Sequence, residues 1–358
     1  MSPRIAVRYR DVLVDPDGHV AGHDAGATLV RRLLRVFPGS VLVGDGPRRC
    51  DGFDVLPLEF VDAGDTVVIN MDVVDSAAVW RTLRASGTAR PGTEPRVMNF
   101  VWWSTSQFTH AVDRACLGLS CALFPTFANS ERTATEVREI VQHQVVPHLA
   151  EKARIGWVNL GIRLEHVHPR REPDVPVVLY PAIYLSERKQ PGVFFDVVER
   201  VRKRVPLRVE GRLVESHLVS EQAMRLSRHD WVWLGPLTAT RDDYWEALAH
   251  TTAFLATATD ESYGLEYVEA LVAGAVGVFP DRSWARALLP SSYPLLYRTT
   301  AEAEAMLERA LTDTAAVRRE LDAAADGSFQ EWLRARHDDD AFDHAIVEHV
   351  HKWFGETH

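Results

Sequence analysis

Short apolar runs alternate along this chain with stretches in which apolar positions recur every three or four residues. The first pattern reads as buried strands and the second as amphipathic helices. In the first half, strands are predicted at Ile5–Tyr9, Val41–Val43, Thr66–Met71, Val97–Trp102, Ala122–Pro125 and Ile155–Leu160. Between them lie helices at Ala25–Val36, stopped by Pro38-Gly39, and at Ser76–Arg84, behind an Asp75 cap and before Gly87. A third helix, Glu131–Val146, starts behind Ser130. Strands alternating with helices predict a doubly wound parallel sheet.

The stretch WVNLGIRLEHVHP followed by RREPDVP reads as a linker, and a second alternating series begins at Val177. Its strands are expected at Val177–Tyr180, Leu207–Glu210, Trp231–Leu234, Ala253–Ala258 and Val276–Phe279. A helix over Val193–Arg204 has one apolar face made of Phe194, Val197, Val198 and Val201. Another, Asp242–His250, follows Thr240 with Asp243 three residues on, a capping-box-like start. The expectation is an α/β protein of two Rossmann-like domains, 1–165 and 166–335, with parallel sheets facing across a cleft. A helical segment, 336–358, follows them.

Composition agrees. The 358 residues exceed one comfortable core, and 46% hydrophobic residues suffice for two. Cys50, Cys116 and Cys121 fit neither a metal site nor a disulfide framework, which suits a reducing, cytoplasmic location. The N-terminus lacks a signal-peptide core, and no stretch nears the roughly 18 apolar residues of a membrane helix. A net charge of −10 disfavours general coating of nucleic acid. His337, His344 and His351 recur every seven residues, whereas a helical metal box needs ligands three or four apart; no metal site is expected. No G-x-G-x-x-G follows the first strand, which disfavours a nicotinamide enzyme.

The most informative segment is AFLATATDESYGLEYVEALVAGAVGVFP, Ala253 to Pro280. It reads as strand, acidic loop, a turn at Ser262-Tyr263-Gly264, a helix over Leu265–Ala273 stopped by Gly274, and strand. Carboxylates therefore sit where a strand hands over to a helix N-terminus, beside free N–H groups. Glu261 and Glu269 enclose seven residues, and the run E-S-Y-G-L-E-Y-V-E-A-L-V-A-G-A-V-G-V resembles the donor-site signature of retaining glycosyltransferases of family 4, with the GT-B fold.

That resemblance implies a donor site in the second domain for a nucleotide-diphosphate sugar, a co-substrate rather than a cofactor. Glu269 would accept hydrogen bonds from the ribose hydroxyls. Glu261 would face the transferred sugar, with Ser262, Tyr263, Gly264 and Leu265 offering backbone amides. Lys189, in LYPAIYLSERKQPGVFF, falls on the family's diphosphate-gripping lysine, while the family's arginine falls on Tyr184. Arg188 and Arg212 are the alternative cations, and Gly235 sits where the family contacts the base. The resemblance also implies that the last helix packs back on the N-terminal domain and that transfer needs no metal.

The acceptor wall would come from strand ends of the first domain: Asp24, Asn70, Trp102 and Trp103. Many family members carry a histidine where this chain has the Trp pair, which leaves His23 as the candidate for that role. The acceptor stays open among glycosides, lipid-linked and natural-product hydroxyls and modified nucleic acid. Arg8, Arg10, Arg48 and Arg49 keep an anionic one in play. Two alternatives accompany the hexosyltransferase reading: a nucleotide-sugar hydrolase or phosphorylase on the same fold, and a nucleotide-sugar-binding protein without turnover.

Overall fold

The computed structural model describes residues 3–22, 24–86, 92 and 94–355; His23 and Gly87 lie outside them. The chain forms two compact units, Met1–Asn159 with Asp340–His358, and Leu160–Asp339.

The first unit carries strands β1 (Arg4–Arg8), β2 (Val41–Val43), β3 (Arg48–Arg49), β4 (Asp54–Leu56), β5 (Thr66–Asn70), β6 (Arg96–Val101), β7 (Thr126–Ala128) and β8 (Ile155–Trp157). They form one sheet in the order β3-β4-β2-β1-β5-β6-β7-β8. All pairings are parallel except β3 with β4. Helix Ala25–Val36 buries Leu29, Val30, Leu33 and Leu34 on one stripe, and the Asp24 carboxylate caps it by accepting from the Ala27 N–H at 3.0 Å.

Two expectations fail here. Ala122–Pro125 is not a strand: Ala122 and Leu123 end helix Ala111–Leu123, and β7 starts at Thr126. Within that helix Leu117 and Cys121 are buried while Leu119 and Leu123 are exposed, a helical period hidden in a nearly continuous apolar run. Asp75 does not cap its helix through its side chain. Its carboxylate instead pairs with Arg10 and lies 3.8 Å from Arg8.

The second unit carries β9 (Val177–Tyr180), β10 (Arg208–Leu213), β11 (Val232–Pro236), β12 (Ala253–Leu255), β13 (Val276–Pro280) and β14 (Leu296–Tyr297). Their order is β11-β10-β9-β12-β13-β14, all parallel. From β9 the chain builds outward through β10 and β11, then returns to β12 and builds the other way. The strand order therefore reverses between β9 and β12. In open α/β sheets the crevice beyond the carboxyl ends of strands at such a reversal is where ligands bind.

The chain returns to the first unit through helix Asp339–Phe354, whose Phe342, Ile346 and Val350 recur every four residues and are buried. Phe342 packs on Phe100 at 6.1 Å and on Phe127 at 5.9 Å between ring centroids, and the Arg32 guanidinium covers its ring at 3.8 Å. Each such aromatic contributes on the order of 2 kcal/mol by leaving water. Among the described residues no helix is long and apolar enough to cross a membrane.

Candidate functional site

The charged candidates of the second unit gather at the carboxyl ends of β9 and β12. After β9 the chain turns through Glu187–Lys189, and helix Pro191–Arg202 follows. This turn is pinned to the β12 side: the Thr259 N–H donates to the Arg188 carbonyl at 2.9 Å, and the Thr257 hydroxyl to the Lys189 carbonyl at 2.7 Å. Beyond β12, Gly264 has φ +86°, and helix Leu265–Val272 begins directly after it. A Cβ on Gly264 would stand 2.7 Å from the Tyr267 ring. Glycine is therefore needed twice over, for its backbone and for its lack of a side chain. The helix ends at Val272, one residue before the expected bound, with Ala273 as its cap and Gly274 at φ +89°, the left-handed stop expected there.

Within this frame Lys189 Nζ lies 2.5 Å from Glu261 Oε1 and also donates to Glu266. Tyr267 donates its phenolic hydrogen to the same Glu261 oxygen at 3.2 Å. Arg188 donates Nε–H to the Asp260 carbonyl at 2.7 Å and brings Nη2 to 3.8 Å from Glu261 Oε2. The adjacent cations thus converge on one carboxylate. Burial and Glu266 together push the Glu261 carboxyl above the usual range, with Lys189 and Arg188 pulling the other way. Burial draws the Lys189 ammonium down, but Glu266 and Glu261 outweigh it, so its net shift is upward.

Glu269 sits one turn further along the face that carries Glu266 and is only 6% exposed. Its Oε1 accepts from Arg241 Nη2 at 2.6 Å and its Oε2 from the Tyr244 hydroxyl at 2.8 Å. Both partners come from helix Arg241–Ala249, whose cap is Thr240 as expected, accepting from the Asp243 N–H.

The remaining donor-side candidates divide. Tyr184, standing where the resembling family has arginine, sets its ring edge-on to His217 at 5.4 Å. Arg212 lies on β10, 3.7 Å from Glu210 and stacked over Trp233 at 5.0 Å, and no contact ties it to the Lys189 cluster. Gly235, opposite Arg212 in the ladder, is covered by the Trp233 ring, which a Cβ would meet at 2.3 Å. Tyr263 turns its side chain inward, and its hydroxyl bonds His337 Nδ1. Ser262 and Leu265 border the helix start, where first-turn N–H groups have no intrahelical acceptor.

In the first unit the acceptor-side candidates are mostly engaged structurally. Asn70 is fully buried and bonds Arg8, Ser76 and the backbone of Asp72, so it is a tie between strand ends rather than a presented side chain. Arg8 is committed to Asn70 and to Asp72, 3.1 Å away. Asp24 is the helix cap already described. Trp102 meets Tyr9 edge-on at 5.6 Å, whereas Trp103 packs on Phe108 at 4.6 Å against the cluster around Leu117 and Val137. The Trp pair thus divides between two environments just past the end of β6, which stops at Val101 rather than at Trp102.

Sequence reasoning missed Glu266, Tyr267, Arg241 and Tyr244. One signal was available: Arg241 opens its helix, where a cation opposes the macrodipole and calls for a nearby anion. Among the described residues no group of three or more His, Cys, Asp or Glu side chains is placed to hold a metal ion.

No family model matches the chain, and no curated protein sequence matches it. Solved structures do. The chain is similar to trehalose-6-phosphate synthase OtsA, with 12% identity and TM-score 0.68, covering 97% of this chain and 98% of that one. It is similar to sucrose-phosphate synthase from Thermosynechococcus elongatus, with 13% identity and TM-score 0.69, covering 99% and 100%. It is also similar to Anabaena HepE, solved in complex with UDP and glucose, with 15% identity and TM-score 0.67, covering 98% and 100%. The two parallel-sheet units have the GT-B fold of these glycosyltransferases.

Proposed function

We propose that the chain is a retaining glycosyltransferase of the family 4 type, moving a hexose from a nucleotide-diphosphate sugar to an acceptor hydroxyl without a metal ion. The observation that carries this reading is the convergence of Lys189, Arg188, Glu261 and the mouth of helix Leu265–Val272 at the reversal between β9 and β12, with Glu269 one turn away. Residues three apart on a helix stand about 5–6 Å apart at Cβ, a separation suited to a diphosphate beside its ribose.

In this reading Lys189 and Arg188 hold the diphosphate, whose charge grows as the bond from the sugar's anomeric carbon to phosphate oxygen breaks. The electron pair leaves on that oxygen. The acceptor hydroxyl forms the new bond on the face the phosphate vacates and gives it its proton. Glu261 orients the sugar and Glu269 the ribose. The protein works in the cytoplasm. GT-B neighbours, among them a UDP-forming trehalose-phosphate synthase from Burkholderia xenovorans and HepE bound to UDP and glucose, support a uridine donor as the first to test.

The test is thermal shift of the whole chain against UDP, GDP, ADP and their sugars, since a ligand bound only by the native state stabilises by mass action. Transfer assays with and without EDTA follow. An upward shift with at least one nucleotide diphosphate and EDTA-resistant transfer support the reading, and a flat response across the panel defeats it. Tyr184, turned to His217 where the resembling family has a phosphate-gripping arginine, favours a second reading: a nucleotide-sugar-binding protein without transfer. Binding without turnover across a broad acceptor screen would select it.

A further inference from the structure

Glu269 has no oxygen to spare. One is held by Arg241 and the other by Tyr244, and these two side chains differ in kind. Tyr244 is half-buried; burial first, then Glu269, hold its phenol well above the ordinary range, so it stays a neutral donor. Arg241 is the reverse. Its side chain is 58% exposed against 7% for Glu269, and it lies at the first position of its helix, where the dipole disfavours a cation. It rests on the Tyr244 and Trp245 rings at 4.9 and 5.7 Å, so it can slide off the carboxylate without leaving a cavity.

We propose that Arg241 occupies the position of the ribose diol in the ligand-free protein and is displaced by the nucleotide, while Tyr244 is the positioning residue that holds Glu269 at the angle the diol needs. This rests on the reading of Glu269 as the ribose acceptor. A guanidinium and a cis-diol both present paired hydrogens to a carboxylate, so one can stand in for the other. Without the stand-in, a nearly buried carboxylate would face the apo state with a single neutral donor, an arrangement that burial penalises. Arg241 therefore stabilises the empty site at the expense of affinity, and a ligand must outcompete it.

The experiment measures UDP, GDP and ADP affinity and thermal unfolding for the parent protein and for Arg241→Gln, Tyr244→Phe and Glu269→Ala. Arg241→Gln should lower the melting temperature of the free protein yet tighten the nucleotide diphosphate about two- to tenfold, the range of a partly exposed ion pair. Tyr244→Phe, which keeps the ring packing, should weaken it severalfold and reduce the preference for ribose over 2′-deoxyribose nucleotides. A merely structural Tyr244 would leave that preference intact, and this outcome overturns its role. Weaker or unchanged binding in Arg241→Gln overturns the displacement, while the ribose assignment stands if Glu269→Ala still abolishes binding. Glu269→Ala binding like the parent protein, or a parent protein that binds none of the three, overturns both.

Discussion

Tyr263 and His337 are 74 residues apart in sequence and share a hydrogen bond between the phenolic hydroxyl and Nδ1. The bond ties the loop carrying Glu261 to the residue that ends helix Phe329–Arg336, just before the chain leaves the second unit. His337 is 1% exposed, and its backbone accepts from the Ile162 N–H at 2.8 Å. Burial, with Arg336 adding to it, lowers the His337 pKa to about 3 from an ordinary 6.5.

The pH dependence follows with a definite sign. Between pH 6.5 and about 3 the unfolded histidine holds a proton that the native one lacks. Stability therefore rises with pH across that window and is lost as pH falls through it. Moving from pH 7 to pH 5 should remove about 2 kcal/mol through this group. His337→Gln should flatten that part of the profile in urea unfolding at the two pH values, and an unchanged slope would remove His337 as its source.

Gly264→Ala tests the entry to helix Leu265–Val272. It combines a left-handed backbone with a contact of 2.7 Å to the Tyr267 ring. Together these should cost about 2–3 kcal/mol. Tyr267 also donates to Glu261, so a displaced ring should disturb the carboxylate and reduce donor binding more than the loss of stability explains. Chemical denaturation paired with nucleotide titration separates the two effects.

The alternation of strands and helices, and with it the two-sheet fold, was readable because buried parallel strands are short apolar runs and their helices carry stripes. Helix Ala25–Val36 and strands Val41–Val43 and Val177–Tyr180 lie where the pattern put them. Helix Ala111–Leu123 was not readable, since its apolar run hides its period, and Arg48–Arg49 is too short and polar to signal a strand. Glu261, Lys189 and Glu269 stood out through their motif. Arg241 and Tyr244 did not, because the carboxylate they hold lies 25 to 28 residues away, and only the cation opening its helix hinted at an anionic partner.

Phe342→Ala tests how far the C-terminal helix contributes to the first unit. The ring is fully buried between Phe100 and Phe127 and covered by Arg32. Truncation should cost about 3–5 kcal/mol from lost transfer and the cavity left behind. Phe342→Leu should recover most of it. A loss under 1 kcal/mol in Phe342→Ala would mean that the helix is dispensable to that core.

Lys189 is the sharpest single test of the candidate site. Its ammonium is the counter-charge for two carboxylates, one of them almost wholly buried. Replacing it with methionine keeps the stem and removes the charge. Glu261 and Glu266 would then share only Arg188, 3.8 Å from Glu261, as a nearby cation, which should cost about 3 kcal/mol at neutral pH. The Glu261 carboxyl, already above its usual range, should rise further. Native Glu261 would then bind a proton that its unfolded form has released, so stability in Lys189→Met should climb as pH falls toward the carboxylate range. This is the reverse of the His337 contribution. Under the proposed function, donor binding should fall at least tenfold and transfer by about a hundredfold or more, because Lys189 is the cation proposed for the developing phosphate charge. Lys189→Met with Glu261→Gln should regain stability without regaining transfer. A double variant that regains both would show that Lys189 serves the fold alone.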